Sequence, residues 1–202
     1  MSELFSIQLQ NRQQQGRDGV WLDLPTTTEQ VQAALRQIGI TSDNPQGLFI
    51  SGYFAEEEKR FAIPYNMVLA SNVDELNFLA SRLETLSTGE RAELNAALQA
   101  PQSELFSIGR ITDFPENVDY YVYLPDVHGP AQLGDYYLNR SGMVDMPEEW
   151  KGGIDTAQFG RYVAQQEQGA FTQYGYLVKS GDEWQKVHEG QPVPEEYRVL
   201  SF

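Results

Sequence analysis

The residues of this sequence that could do chemistry are almost all carboxylates. The chain has 202 residues, no cysteine and only two histidines, His128 and His188. Without thiols there can be no disulfide, thiolate metal site or cysteine nucleophile, and neither histidine has a partner at ligand spacing. His128 lies beside Asp126 in a Pro-Asp-Val-His-Gly-Pro segment, where a surface loop histidine is favoured over a general base.

Familiar catalytic motifs are missing as well. The sequence contains no Gly-x-Ser-x-Gly, no Walker loop and no His-Glu-x-x-His. Asp113 and Glu116 could form a glycosidase-like acid pair, but any acidic protein offers such pairs by chance. Asp126, Asp135 and Glu149 could likewise hold a hard cation, although no EF-hand spacing supports it. We therefore predict no catalytic residue, no metal and no cofactor, and a protein that acts through its surface.

Net charge is the most informative bulk property of the chain. Asp and Glu number 29 against 14 Lys and Arg, which gives a net charge of −15. Such a charge disfavours direct nucleic-acid binding, because phosphate contacts need cations, and it favours attraction to basic surfaces. Residues 101–150 hold nine acids and two bases, spaced singly or in pairs among apolar residues. This spacing indicates a charged face on a folded scaffold, whereas a disordered acidic tail would form a solid block.

These acids are the binding candidates that the sequence offers, and their role is expected to be collective. We expect the acids of residues 104–155 to line one continuous stripe. The candidates are Asp113, Glu116, Asp119, Asp126, Asp135, Asp145, Glu148, Glu149 and Asp155, with Glu56, Glu57 and Glu58 behind them. The last three precede Lys59 and Arg60 directly, so a solvated turn with local charge balance explains them equally well.

The elements that must position these acids begin with an antiparallel sheet. Alternating residues predict strands over 4–9, 20–22 and 48–53. Thr26 and Glu29 form a capping box for a helix that Gly39 ends. Leu76, Leu79 and Leu83 share one face of a helix over 74–84, and a second helix follows.

The carboxyl-terminal part is predicted to combine strands and helices. Asp155 caps a helix over 156–166, and 171–178 is a strand. A hairpin turn at 180–182 leads to a returning strand over 183–188, and 197–200 adds an edge strand. No stretch approaches the roughly 18–20 apolar residues of a membrane span, and the amino-terminal segment is unlike a signal peptide, so a cytoplasmic protein is expected.

A six-residue segment occurs twice. Ser103–Ile108 repeats Ser2–Ile7 letter for letter, with no longer duplication around it. The first copy alternates as a strand does, whereas the second suits the start of a short helix. The repeat therefore indicates chance identity rather than a duplicated unit.

Several segments resemble the ArdA antirestriction family, in the order expected for that family. They are Val20–Thr27 (VWLDLPTT), Asp74–Ala80 (DELNFLA), Leu133–Tyr136 (LGDY), Met146–Glu149 (MPEE), Ile154–Arg161 (IDTAQFGR) and Phe171–Tyr176 (FTQYGY). The likeness covers roughly residues 20–178. Thr156 and Gln158 stand where the family tends to have Tyr and Glu, and residues 180–202 extend beyond its usual end.

The resemblance implies an elongated α+β protein of three small domains that forms a homodimer. On that pattern we expect an N-terminal antiparallel sheet with one helix over 1–72 and a central helical domain over 73–114. A C-terminal domain with a mixed sheet, helices and the acidic face follows over 115–202. The implied function is to mimic bent duplex DNA and to inhibit type I restriction–modification enzymes by occupying their DNA-binding groove, without direct contact to nucleic acid or membrane. An acidic interaction or regulatory module without DNA mimicry, and an enzyme that uses carboxylates, remain alternatives.

Overall fold

The computed structural model describes residues 4–14, 18–57 and 60–201. Helices and strands alternate along the chain in short elements. In chain order they are β1 (Phe5–Asn11), β2 (Val20–Leu24), α1 (Thr28–Gln37), β3 (Leu48–Phe54), α2 (Tyr65–Leu69), α3 (Val73–Glu84), α4 (Thr88–Gln99), α5 (Ile108–Thr112), β4 (Tyr121–Leu124), α6 (Pro130–Asp135), α7 (Glu148–Lys151), α8 (Thr156–Gln166), β5 (Ala170–Thr172) and β6 (Gly175–Lys179). A π-helical turn, Tyr136–Arg140, continues α6.

The α+β class is confirmed, with two three-stranded sheets in the orders β2-β1-β3 and β4-β6-β5. Both sheets are antiparallel throughout, so the mixed sheet predicted for the C-terminal domain is wrong. The described part of the chain holds no helix with the length and apolarity needed to span a bilayer.

Two compact units divide the chain. The first unit takes in residues 1–87, 105–116 and 186–202, and the second unit takes in residues 88–104 and 117–185. The predicted division into three domains, with boundaries after residues 72 and 114, stays a prediction.

In the first unit, buried and partly exposed side chains alternate along β1, and the buried ones form part of the core. Phe5, Ile7 and Leu9 are buried beneath the sheet, whereas the residues between them face outward. The helix α1 starts one residue later than predicted, because Thr27 and Gln30 form the capping box. Gly39 ends the turn after α1 with a φ of 67°, a left-handed conformation that glycine adopts without strain.

The second unit depends on the close packing of α6 against α8. A Cβ on Gly134 would lie 1.9 Å from the carbonyl oxygen of Thr156, and a Cβ on Gly160 would lie 1.8 Å from that of Pro130. Only glycine permits this approach at the two positions. Leu133 of α6 and Tyr176 of β6 are fully buried in the core beside these helices.

The carboxyl-terminal segment is held without strands. The hairpin forms between β5 and β6 instead of at 180–182, and residues 183–188 and 197–200 are not strands. Both edges of β6 are already paired, to β4 and to β5, so no edge of that strand is left for a returning one. In the first unit, Asp74 Oδ1 accepts the backbone N–H groups of Val199 and Leu200 at 2.8 and 2.9 Å instead.

Candidate acidic interaction surface

Most of the predicted acids belong to the second unit and reach solvent. They lie at turns and helix ends, where a carboxylate can stay hydrated or accept backbone N–H groups. Six have exposed side chains, namely Asp119, Asp126, Asp145, Glu148, Glu149 and Asp155, and Asp135 is half-buried. All seven belong to the second unit.

Local structure explains three of these positions. Glu148 and Glu149 occupy the first turn of α7, where the partial positive charge of a helix start favours acids. Asp155 caps α8, as predicted, because its Oδ1 accepts the backbone N–H groups of Ala157 and Gln158 at 2.9 and 3.0 Å. The Asp155 carboxylate is thus fixed in place while its side chain stays exposed.

Basic residues compensate only part of the negative charge of the second unit. The second unit contains 13 acidic and 5 basic residues. Its ion pairs include Arg140 with Asp135 at 3.1 Å and Lys151 with Glu148 at 2.9 Å. Exposed pairs of this kind contribute about 0–1 kcal/mol each, so they neutralise charge locally without holding the fold.

Sequence reasoning missed a group of acids around Glu93 on α4, in the second unit. Burial, followed by repulsion from Glu90 and then from Asp119, raises the pKa of Glu93 to about 8. Its Oε1 is buried and has no hydrogen-bond partner among the described residues. Burial, and then the charges of Glu93 and Asp126, raise the pKa of Tyr123, which places that ring near Glu93.

The sequence contains one indication of this acid group, namely that Glu90 and Glu93 are three residues apart on α4. Residues three apart share a helix face, so both carboxylates point the same way. Asp119 enters from the turn before β4, which only the tertiary structure brings near α4. Like charges gathered in this way make Glu93 harder to ionise in the folded state.

The prediction that Asp113 belongs to the exposed acidic face is wrong. That residue is completely buried, so it does not belong to an exposed acidic face. Its carboxylate accepts the backbone N–H groups of Val187, His188 and Glu189 at 3.3, 2.6 and 3.1 Å. A buried charge must be hydrogen-bonded, and here three donors from the carboxyl-terminal segment satisfy it. The Asp113 carboxylate therefore holds that segment in place.

The remaining predicted acids of the first unit are dispersed. Glu116 follows α5 and forms an ion pair with Arg82 of α3. Glu56 and Glu57 follow β3 after Ala55 and are exposed, and Glu58 lies outside the described residues. A single stripe over residues 104–155 thus stays a prediction.

One group of side chains has ligand atoms close enough to hold a metal ion. Those of Asp113, Glu116 and His188 lie within 4.8 Å of one another. However, both oxygens of Asp113 already accept backbone N–H groups, and Glu116 is paired with Arg82. A cation would have to displace these donors, so the group is better explained as the attachment of residues 187–189 to α5.

Comparison with known proteins identifies a family. A family model described as Antirestriction protein (ArdA) matches residues 15–178. The match spans most of the chain and ends at the penultimate residue of β6. Among curated proteins, no sequence matches this chain significantly.

Proposed function

The chain belongs to the ArdA family of antirestriction proteins, and we propose that it inhibits type I restriction–modification enzymes by mimicking bent duplex DNA in their DNA-binding groove. The protein acts without a catalytic residue, metal or cofactor, as a homodimer in the cytoplasm. The partner binds solvent-accessible acids of the second unit, namely Asp119, Asp126, Asp135, Asp145, Glu148, Glu149 and Asp155. Glu116 and the glutamates Glu56, Glu57 and Glu58 contribute further negative charge.

The observation that carries the proposal is acid placement that the fold itself does not require. Burial, with added repulsion from the nearby Glu90 and Asp119, raises the pKa of Glu93 to about 8. Proteins keep such unfavourable arrangements where function needs them, since a neutral residue would stabilise the fold better. A basic groove that normally binds phosphates would relieve this repulsion on contact.

Spaced carboxylates suit that partner for a physical reason. Duplex DNA carries about one charge per 1.7 Å of helix axis, so a mimic needs many separate charges on a rigid support. Helix starts and turns of the second unit supply such a support for Glu148, Glu149 and Asp155. Rigid placement also avoids the ordering entropy that a flexible acidic tail would lose on binding.

The test is displacement of fluorescent duplex DNA from a type I methyltransferase core at low and moderate salt. We expect near-stoichiometric displacement that weakens as salt rises. Absence of displacement at both salt concentrations would refute the proposal.

Two matched glutamate pairs sharpen this experiment. Glu148 and Glu149 follow Pro147, and Glu195 and Glu196 follow Pro194, and all four glutamates are exposed. Changing the first pair to glutamine should weaken displacement by about three- to tenfold and lower the salt slope by up to about two. The same change in the second pair alters net charge equally and should have little effect. Equal effects of the two pairs would show that only total charge matters.

A second candidate function is an acidic protein-interaction module without DNA mimicry. Large apolar side chains of the second unit favour it, because Met143, Trp150 and Tyr162 are 76%, 65% and 61% exposed. Apolar contacts of this kind would dominate binding through a few residues. Displacement that is insensitive to salt, and that is lost in Trp150→Ala, would support this alternative.

A further inference from the structure

The outward face of the first unit's sheet carries two exposed aromatic rings in contact. Trp21 of β2 is 50% exposed and Phe54 of β3 is 58% exposed, and their rings meet edge to face at 6.5 Å between centroids. Gly52 makes this contact possible, because a Cβ there would lie 3.0 Å from Cη2 of Trp21. Large aromatic side chains exposed together typically mark an interaction site.

A cleft of about 210 Å³ opens beside Phe54. Its lining includes Phe5, Ser6, Asp23, Phe54 and Glu56. Ser6 of β1 is paired in register with Asp23 on one side and with Phe54 on the other, so the carboxylate and the ring face each other across a small residue. Asp23 Oδ1 accepts the Ser6 hydroxyl at 2.6 Å, which orients the carboxylate.

The size and chemistry of the cleft restrict which groups can bind in it. Small-molecule pockets begin at roughly 300 Å³, so this cleft suits a single side chain. It combines the acid groups of Asp23 and Glu56 with the aromatic ring of Phe54. Arginine matches that combination, because its planar guanidinium bonds a carboxylate bidentately and also stacks on aromatic rings.

We propose that this cleft binds an arginine side chain presented by the basic surface of the partner enzyme. The chain itself provides an internal example, since the Arg12 guanidinium lies 5.4 Å from the centroid of the Phe49 ring of β3. Identification of the partner rests on the proposed function. The arginine preference of the cleft does not depend on it, so the two can be tested separately.

The first experiment is an NMR titration of the full chain with the capped peptide acetyl-Gly-Arg-Gly-amide. We expect saturable shifts at the Trp21 indole and at the amides of Asp23 and Phe54. The corresponding lysine peptide should bind at least about fivefold more weakly, because an ammonium neither stacks nor bonds bidentately. Shifts that are equal for the two peptides, or that spread over acids of both units, would overturn the proposal.

Phe106 provides a matched control for Phe54. It is a phenylalanine of the first unit with 64% exposure, but the guanidinium of Arg110 already lies 4.6 Å from its ring centroid. Phe54→Ala should abolish the selectivity for the arginine peptide, whereas Phe106→Ala should preserve it. Thermal unfolding by circular dichroism verifies that both variants fold.

The second experiment repeats DNA displacement from the methyltransferase core with these variants. We expect Phe54→Ala to weaken displacement about five- to tenfold and Phe106→Ala to leave it unchanged. Equal displacement by wild type and Phe54→Ala would overturn the assignment of the cleft to this partner while the proposed function stands. Failure of wild type to displace DNA would refute the proposed function and the partner assignment together, and the peptide titration would still decide the arginine preference.

Discussion

Replacing Glu93 with glutamine removes a carboxyl group whose ionisation is disfavoured by its surroundings in the folded chain. The pKa of this carboxyl rises from 4.5 to about 8 through burial and the neighbouring Glu90 and Asp119. Between these two pH values the folded chain binds more protons than the unfolded chain does. The free energy of unfolding therefore falls as pH rises through this window, and the stabilising contribution is complete only below pH 4.5.

The magnitude follows from the size of the pKa change. At about 1.4 kcal/mol for each tenfold change in proton affinity, full ionisation of Glu93 would cost about 5 kcal/mol. Glu93 is only partly buried, so solvent screens much of this penalty, and we expect about 1–2 kcal/mol in practice. For a chain of this length that corresponds to a melting temperature about 3–6 °C higher for Glu93→Gln at pH 8.5.

The assay is thermal unfolding of wild type and Glu93→Gln from pH 5 to pH 8.5. The two should differ least at pH 5, and the difference in melting temperature should grow as pH rises from there toward 8. Asp119→Asn removes one repelling neighbour and should lower the pKa of Glu93, so the decline in stability should be smaller and should end at a lower pH. Glu149→Gln neutralises an exposed acid and serves as the control. A constant difference between wild type and Glu93→Gln over the whole range would refute the reasoning.

Three further substitutions test the packing that positions the acids, each by urea unfolding. Asp155→Ala removes the cap of α8 and should lower the free energy of unfolding by about 1 kcal/mol, and an unchanged value would contradict the capping role. Gly134→Ala forces a methyl group against a backbone carbonyl and should cost about 3 kcal/mol or more, whereas Gly152→Ala, with open space around it, should be neutral. Asp113→Asn should cost about 1–3 kcal/mol and speed hydrogen exchange at residues 187–189, and unchanged exchange there would exclude the proposed attachment.

Local sequence predicted the individual elements well where capping and periodicity were strong. The repeated hexapeptide shows how context then decides. Phe5 and Ile7 of the first copy lie in β1, whereas in the second copy Ser107 caps α5 and Ile108 begins it. The second copy has no strand and leads into α5, because the side chain of Ser107 accepts the backbone N–H of Arg110 and so caps that helix. Both structures bury the same isoleucine position, so hydrophobic pattern alone could not distinguish them.

The carboxyl-terminal segment could not be predicted from its own residues. Its turn signals at 180–182 suggested a hairpin, but β6 already lies between two strands. What holds the segment instead are acceptors far away in sequence, Asp74 and Asp113, whose side chains bond its backbone. No local pattern reveals such long-range acceptors, because a carboxylate that bonds a distant backbone has the same sequence signature as one that faces solvent.

Asp113 and Glu93 show why the candidate site was only partly predictable. Each is an acid among apolar residues, yet Asp113 receives three N–H donors whereas Glu93 meets burial and two further carboxylates. The first arrangement satisfies a buried carboxylate with hydrogen bonds, and the second makes ionisation of the carboxyl unfavourable. A cationic partner would lower the pKa of Glu93 and release its proton, so binding should become tighter as pH rises toward 8. Acids of the second kind, which the fold does not satisfy, are therefore the ones left for a partner to neutralise.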